Sequence, residues 1–288
     1  MIGTNTGPWA KRLARRTWYK ARAYFRPPME TARISSWITH LVTASTRHGV
    51  HSPFVYDLIE QVLRPRPPLP EHAPIEALRD DLLRSDQTIR VNDLGAGSRV
   101  MARPVRRVAD MARVSLKPTR HAQLLFRLAR TMDARKVLEL GTCFGITTLY
   151  LAQGAENGTV TTIEGCPQTF RIAQHHFEQL RQMNIHALLG SFERRLPEAL
   201  ERTSPIDIAF IDGHHAEEPT VAYFEQCLTR AHDATAFVLD DIHWSSGMER
   251  AWERIKAHPR VTVTIDLYGM GIVFIREGQA KEHFRLRY

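Results

Sequence analysis

The sequence predicts an α/β fold: a doubly wound, mostly parallel seven-stranded sheet with an antiparallel C-terminal hairpin, preceded by a helical N-terminal extension. Three observations carry this expectation. From Lys136 onward, short β-branched or apolar runs alternate with amphipathic helical stretches, the pattern of parallel strands connected through helices. The last two runs are joined by Tyr268-Gly-Met with no helix between them, so they must pair antiparallel. Upstream of Lys136 helical patterning dominates, broken by RPRPPLPEHAP (64–74), whose five prolines in eleven residues force an extended connector.

The elements follow in order. Residues 1–29 form a basic, aromatic tail, and residues 30–117 a helical extension. Within the extension, helices are expected at 30–46, after Ser52 as N-cap with Pro53 in the first turn, at 74–84 and at 103–113. His48 and His51 read as turn residues. A helix at 118–132 then opens the main domain, 118–288. Its strands read KVLEL, TVTTIE, IHALLG, IDIAFID, AFVLD, VTVTIDL and GIVFIRE, with helices near 145–154, 167–182, 193–201, 217–232 and 246–257.

Composition bounds the function. At 288 residues, 43% hydrophobic and 24% charged, the chain has the make-up of a globular protein with a sizeable core. Disorder and a small disulfide scaffold are excluded. No run of 18 apolar residues is present, so no membrane-spanning helix is expected. Cys143, Cys166 and Cys227 form no CxxC pair, which fits a reducing, cytoplasmic setting. The net charge of +8 is localised: residues 1–29 carry seven basic side chains and no acid, leaving 32 basic against 31 acidic groups elsewhere. A nearly neutral body does not make a whole-surface nucleic-acid footprint. The tail, with Trp9, Trp18, Tyr19, Tyr24 and Phe25 among its cations, suits a peripheral contact with an anionic membrane surface or a loosely docked helix.

The residues that carry chemistry lie at strand ends. Val137-Leu-Glu-Leu-Gly-Thr-Cys-Phe-Gly places Gly141 and Gly145 in a turn between a strand and a helix, where backbone approaches a ligand closely. Glu164 ends the next strand, where an acid accepts the ribose hydroxyls of a nucleoside cofactor. Asp212 ends a third strand, followed by His214 and His215; Asp240 and Asp241 end a fourth, followed by His243 and Trp244. Carboxylates converging from neighbouring strand ends repel one another unless protonated or bound to a cation, and Mg²⁺ or a similar hard ion suits them. A competing loop, Asp93-Leu-Gly-Ala-Gly-Ser-Arg, lacks a following strand and acid, and reads as a turn of the extension.

Here the sequence resembles class I S-adenosylmethionine-dependent methyltransferases, and within them the metal-dependent O-methyltransferases of catechol and of sugars and natural products, over roughly residues 120–276. The resemblance implies cofactor contacts at Glu139, Gly141, Gly145, Thr147, Glu164, Ser191, Phe192 and Asp212. It implies metal ligation by Asp212, Asp240 and Asp241, and a small-molecule hydroxyl acceptor. Many catechol-type members carry Asp-Asn where this chain has Asp240-Asp241, and a lysine where it has His215. The Asp-x-x-His arrangement is similar to that of the sugar and natural-product enzymes, and makes His215 the catalytic base. Two other readings stay open at this point: an RNA or protein methyltransferase using the basic tail for affinity, and a cofactor-binding module without activity.

Overall fold

The structure is a computed structural model and describes residues 31–91 and 104–288. The basic tail and the 93–99 loop lie outside the described residues. The extension begins with α1 (Thr31–Thr43), a single turn at Arg47–Gly49, and α2 (Pro53–Leu58), which runs into a wider turn at Ile59–Leu63. Pro53 opens α2 after Ser52, whose side chain makes no capping hydrogen bond. The proline-rich stretch is extended to Leu69, and a turn at Pro70–His72 leads into α3 (Ala73–Arg84).

A short hairpin follows: β1 (Thr88–Arg90) pairs antiparallel with β2 (Val105–Arg107). The expected helix at 103–113 therefore starts late, as α4 (Val108–Ser115). Pro104 has no N–H for a helix, and the next three residues pair with β1 instead. α5 (Thr119–Thr131) then packs against the main sheet.

That sheet is built from β3 (Lys136–Leu140), α6 (Ile146–Gly154), β4 (Thr159–Glu164), α7 (Pro167–Gln179), β5 (Ile185–Leu189), α8 (Phe192–Arg202), β6 (Ile206–Ile211), α9 (Glu217–Leu228), β7 (Ala231–Asp240), α10 (Ser246–Ala257), β8 (Val263–Asp266) and β9 (Met270–Phe274). A further strand, β10 (Glu282–Arg285), pairs parallel with β8. The sheet thus has eight strands where seven were expected, in the order β10-β8-β9-β7-β6-β3-β4-β5. The expected hairpin is present, with β9 antiparallel to both β8 and β7.

Alternation along each strand buries both faces. Leu138, Leu140, Ala209, Ile211, Phe237 and Leu239 join α8, α9 and α10 on one face. Val137, Val160, Phe210 and Val238 join α5 and α6 on the other, together with Val55, Leu58 and Val62 of the extension. Each such fully buried side chain contributes about 1.5–3 kcal/mol, so the extension is tied into the main core. A third cluster packs α3 and α4 against α5, α6 and α7. No helix among the described residues is long and apolar enough to cross a membrane.

Candidate functional site

β3 has β4 on one side and β6 on the other. The helices that follow β3 and β6 consequently fall on opposite faces, and a crevice opens at the C-terminal ends of these strands. Three groups of residues meet at that edge: the glycine loop with its acid, the aspartate cluster, and side chains from the extension.

The glycine loop leaves β3 at Gly141, whose φ of +110° lies in a region that L side chains rarely adopt. A Cβ here would also collide with the Asp212 carbonyl, so only glycine lets the β3 and β6 exits lie together. Gly145, at φ +77°, starts α6 and leaves no room for a side chain beside the Phe177 ring. Glu164 lies directly against this loop: its carboxylate accepts the Cys143 N–H at 2.7 Å and the Cys166 N–H at 2.8 Å. Burial raises its pKa, and those backbone donors work the other way. Loop and acid, 25 residues apart from Glu139 to Glu164 in the sequence, are brought into one unit.

Thr147 is half-buried in the first turn of α6, and Ser191 stands at the N-terminus of α8 without capping it. Phe192 packs edge-to-face on Tyr223 at 5.5 Å and against Gly213, next to Asp212. Glu139 is placed differently from the expected cofactor contact. It is 0% exposed, and its Oε2 accepts the hydroxyls of Thr148 at 2.5 Å and Thr162 at 2.7 Å. Burial pushes its carboxyl up to about 8, which favours the neutral form near pH 7. Glu139 braces β3, β4 and α6 beneath the loop. Replacing it with the neutral isostere glutamine is expected to change stability by less than about 1 kcal/mol, whereas leucine strands the buried Thr148 hydroxyl at about 1–3 kcal/mol, Thr162 keeping Thr142 as a partner. Urea unfolding of the two variants checks this.

Asp212, just after β6, and Asp240, the last residue of β7, come together, with Asp241 next in the chain. Ligand atoms of Asp212, His215 and Asp240 all lie within 4.8 Å of one another. His215 Nε2 is 3.8 Å from Asp212 Oδ1, and the His215 ring is 6.5 Å from that of Trp244. His214, His215 and Asp241 are non-glycine residues at φ +66°, +34° and +53°. Such conformations persist where the surroundings over-determine them, and they concentrate at functional sites.

A residue that the sequence reading passed over completes the cluster. Lys117, between α4 and α5, places its ammonium 3.0 Å from Asp212 Oδ1 and in direct contact with Asp240 Oδ2. Burial opposes its charge, but Asp212, Asp240 and Asp241 together hold its pKa above that of an ordinary lysine. Burial and the Asp241 charge push Asp240 up, against the pull of Lys117; the direction that governs the pair is the ammonium on Lys117, which faces three carboxylates. The extension reaches this edge elsewhere too, through Ser115 Oγ at 3.3 Å from Cys143 Sγ and the Arg90 carbonyl beside Cys166.

The other histidines are engaged elsewhere. His214 Nδ1 lies 2.9 Å from the Tyr223 hydroxyl, which donates to Glu193 at 2.8 Å. His243 turns away from the aspartates. Its Nε2 bonds Asp266 at 3.0 Å and its Nδ1 bonds Glu249 at 3.1 Å, with Ser36 of α1 donating to the same Glu249 oxygen at 3.0 Å. His40 of α1 approaches Asp266 at 3.4 Å and Arg285 does so from β10, also at 3.4 Å. With both His243 nitrogens occupied and a guanidinium on the same carboxylate, this is an ion-pair hub that holds α1 to the sheet. Two arginines of α5 are likewise in structural contacts, Arg127 donating to the Val62 carbonyl at 2.7 Å and Arg130 pairing with Glu71 and Glu156, while burial lowers His121 to about 3, so it carries no charge near pH 7.

Residues 138–242, from within β3 to just beyond β7, match the family described as Methyltransferase domain. The curated relatives include a catechol O-methyltransferase of Mycobacterium tuberculosis, 28% identical over 142 residues, which are 49% of this chain and 62% of that protein. Another, from Niastella koreensis, is 28% identical over 46% of this chain and 61% of its own length. The chain thus spans about three-fifths of the length of these relatives. Among solved structures, an O-methyltransferase from Bacillus cereus in complex with SAH aligns with a TM-score of 0.52 and 22% identity, covering 77% of this chain and 97% of that one. The cofactor-bound Rv0187 from MTB aligns with a TM-score of 0.55 and 21% identity, over 75% of this chain and all of that one. At these identities the structures establish the shared fold.

The matched segment contains the glycine loop, Glu164, Asp212, His215, Asp240 and Asp241. Lys117 and the His40–Asp266 pair lie outside the matched segment. Nothing local in the sequence marks Lys117, except that it is a lysine beside a proline in a chain whose cations are mostly arginine.

Proposed function

We propose that this protein transfers a methyl group from S-adenosylmethionine to a hydroxyl oxygen of a small molecule. The observation that carries the proposal is the Glu164 carboxylate held against the Gly141–Gly145 loop at the crevice of a methyltransferase domain, with His215 and Asp212 on the neighbouring strand end. Each Glu164 oxygen, already accepting one backbone N–H, keeps a lone pair for a ribose hydroxyl. Bound S-adenosylmethionine supplies an electrophilic methyl on a sulfonium sulfur. His215 takes the proton of the acceptor hydroxyl through Nε2 as the O–C bond forms and the S–C bond breaks. Relatives named as catechol O-methyltransferases support an oxygen acceptor.

The donor set does not suit the metal that the family resemblance implies. Asp212, His215 and Asp240 converge closely enough to ligate an ion, but the Lys117 ammonium already bridges Asp212 and Asp240. A divalent ion there would sit against a buried like charge. The residues present do not fit both cations, and the proposed reaction uses no metal step.

Calorimetric titration with S-adenosylhomocysteine tests the cofactor site. Glu164→Ala is expected to weaken binding about 10–100-fold through loss of charge-assisted hydrogen bonds. Unchanged affinity in a folded variant would remove Glu164 from the site and the proposal with it. The basic tail, residues 1–29, we propose as an anionic-membrane contact. Deleting it is expected to abolish co-sedimentation with phosphatidylserine vesicles, and undiminished sedimentation would refute that role.

A further inference from the structure

We propose that Lys117 is the resident cation of the aspartate cluster, standing where the sequence resemblance implies a divalent ion, and that its ammonium binds the acceptor oxygen beside His215. The inference rests on the methyl-transfer reading of this site.

The lysine is built in. Its side chain is 11% exposed, and Asp212 and Asp240, which it bridges, are 15% and 2% exposed. Its backbone is fixed from α3: Arg79, 9% exposed, donates to the Lys117 carbonyl at 2.8 Å and to Glu76 at 3.0 Å. Glu76 in turn accepts the hydroxyls of Thr119 at 2.9 Å and Tyr150 at 2.8 Å. Pro118, immediately after, locks its own φ. Four side chains thus aim one lysine at the strand ends, more support than a solvated lysine receives.

Its chemistry fits the role. An ammonium has three N–H donors, and two of them are taken by Asp212 and Asp240, leaving the third for a ligand. A fixed positive charge at that point favours the developing negative charge on an acceptor oxygen, as a metal ion would. Asp212 Oδ1 is 3.0 Å from Lys117 Nζ and 3.8 Å from His215 Nε2, so cation and base meet at one carboxylate oxygen. The balance closes simply: the acceptor proton goes to His215, the methyl carbon moves from sulfur to oxygen, and Lys117 keeps all its protons.

The test is Mn²⁺ binding followed by electron paramagnetic resonance on the full-length protein, which needs no acceptor. Wild type is expected to bind no Mn²⁺ at this site, and Lys117→Met to gain one site that disappears in Lys117→Met/Asp240→Asn. Wild-type binding of one Mn²⁺ that is lost in Asp240→Asn would overturn the proposal. If Lys117→Met does not fold, the wild-type titration with Asp240→Asn decides alone. Titration of the same wild-type sample with S-adenosylhomocysteine separates the two readings: no cofactor binding refutes methyl transfer, while Mn²⁺ reports on Lys117. With an acceptor in hand, Lys117→Met should lower kcat about 10²-fold, the scale of losing one fixed donor to a developing charge, with cofactor affinity retained. The wild-type rate should be unaffected by EDTA.

Discussion

Replacing His215 with alanine is expected to slow methyl transfer by about 10²–10⁴-fold, the range for losing a positioned general base, with S-adenosylhomocysteine affinity unchanged. The expectation comes from placement. His215 lies four residues past the β6 end, at φ +34°, in a loop whose neighbour His214 is fixed by Tyr223. Its Nε2 faces Asp212 at 3.8 Å, too long for a hydrogen bond but close enough for the carboxylate to stabilise an imidazolium formed during the reaction. Single-turnover rates with labelled cofactor measure the effect. Partial rescue of His215→Ala by added imidazole would identify a proton-transfer role, which a purely structural histidine would not show. A variant within about threefold of the wild-type rate would place the base elsewhere.

The second large effect concerns Asp266. Changing it to asparagine is expected to cost about 3–5 kcal/mol, because it leaves buried partners without their counter-charge. Asp266 receives His243, His40 and Arg285, and its Oδ1 also accepts the Tyr268 N–H at 2.8 Å. Burial opposes the charge on both central groups. Nevertheless His243 and His40 hold the Asp266 carboxyl well below the usual range, and Asp266 and Glu249 hold His243 above an ordinary histidine. Stability from His243 is fully present below its unfolded pKa of about 6.5 and is lost as pH rises through its raised folded value. Stability from Asp266 is present above about 3.9 and is lost as pH falls through its lowered value. Both contributions coexist between about pH 4 and pH 6.5. Urea midpoints at pH 6 and pH 8.5 should therefore show wild type weakening at the higher pH, and Asp266→Asn weaker at pH 6 with a flatter profile. A variant within about 1 kcal/mol of wild type at pH 6 would show the hub to be only a surface network.

The main sheet was legible because its strands are apolar runs separated by amphipathic helices, and every central strand is buried on both faces. β10 was not, because Glu282-His-Phe-Arg285 carries little apolar signal and is a strand only through its backbone pairing with β8. β1 and β2 escaped for the same reason, each being three residues long and defined by the other. At the site, Gly141, Gly145 and Glu164 could be read from local spacing, since a strand–turn–helix unit fixes their relation. Glu139 was misplaced by that same local logic: a strand residue two before Gly141 points into the sheet's packing, where Thr148 and Thr162 take it. Lys117 and the His40–Asp266 pair were invisible because their partners lie 95 or more residues away in the chain. Such contacts are products of how the extension lies across the strand ends, and no motif encodes them.

Two loops of this chain have the glycine-rich look of a cofactor site, 93–99 and 139–145; the second stands beside an acid, Glu164, at the end of the following strand. Hydrogen exchange of the wild-type protein with and without S-adenosylhomocysteine compares them directly. The account predicts slower exchange in peptides covering 139–147, 164–166 and 190–192, with 92–103 unchanged. Protection confined to 92–103, or none anywhere in a folded sample, would contradict it.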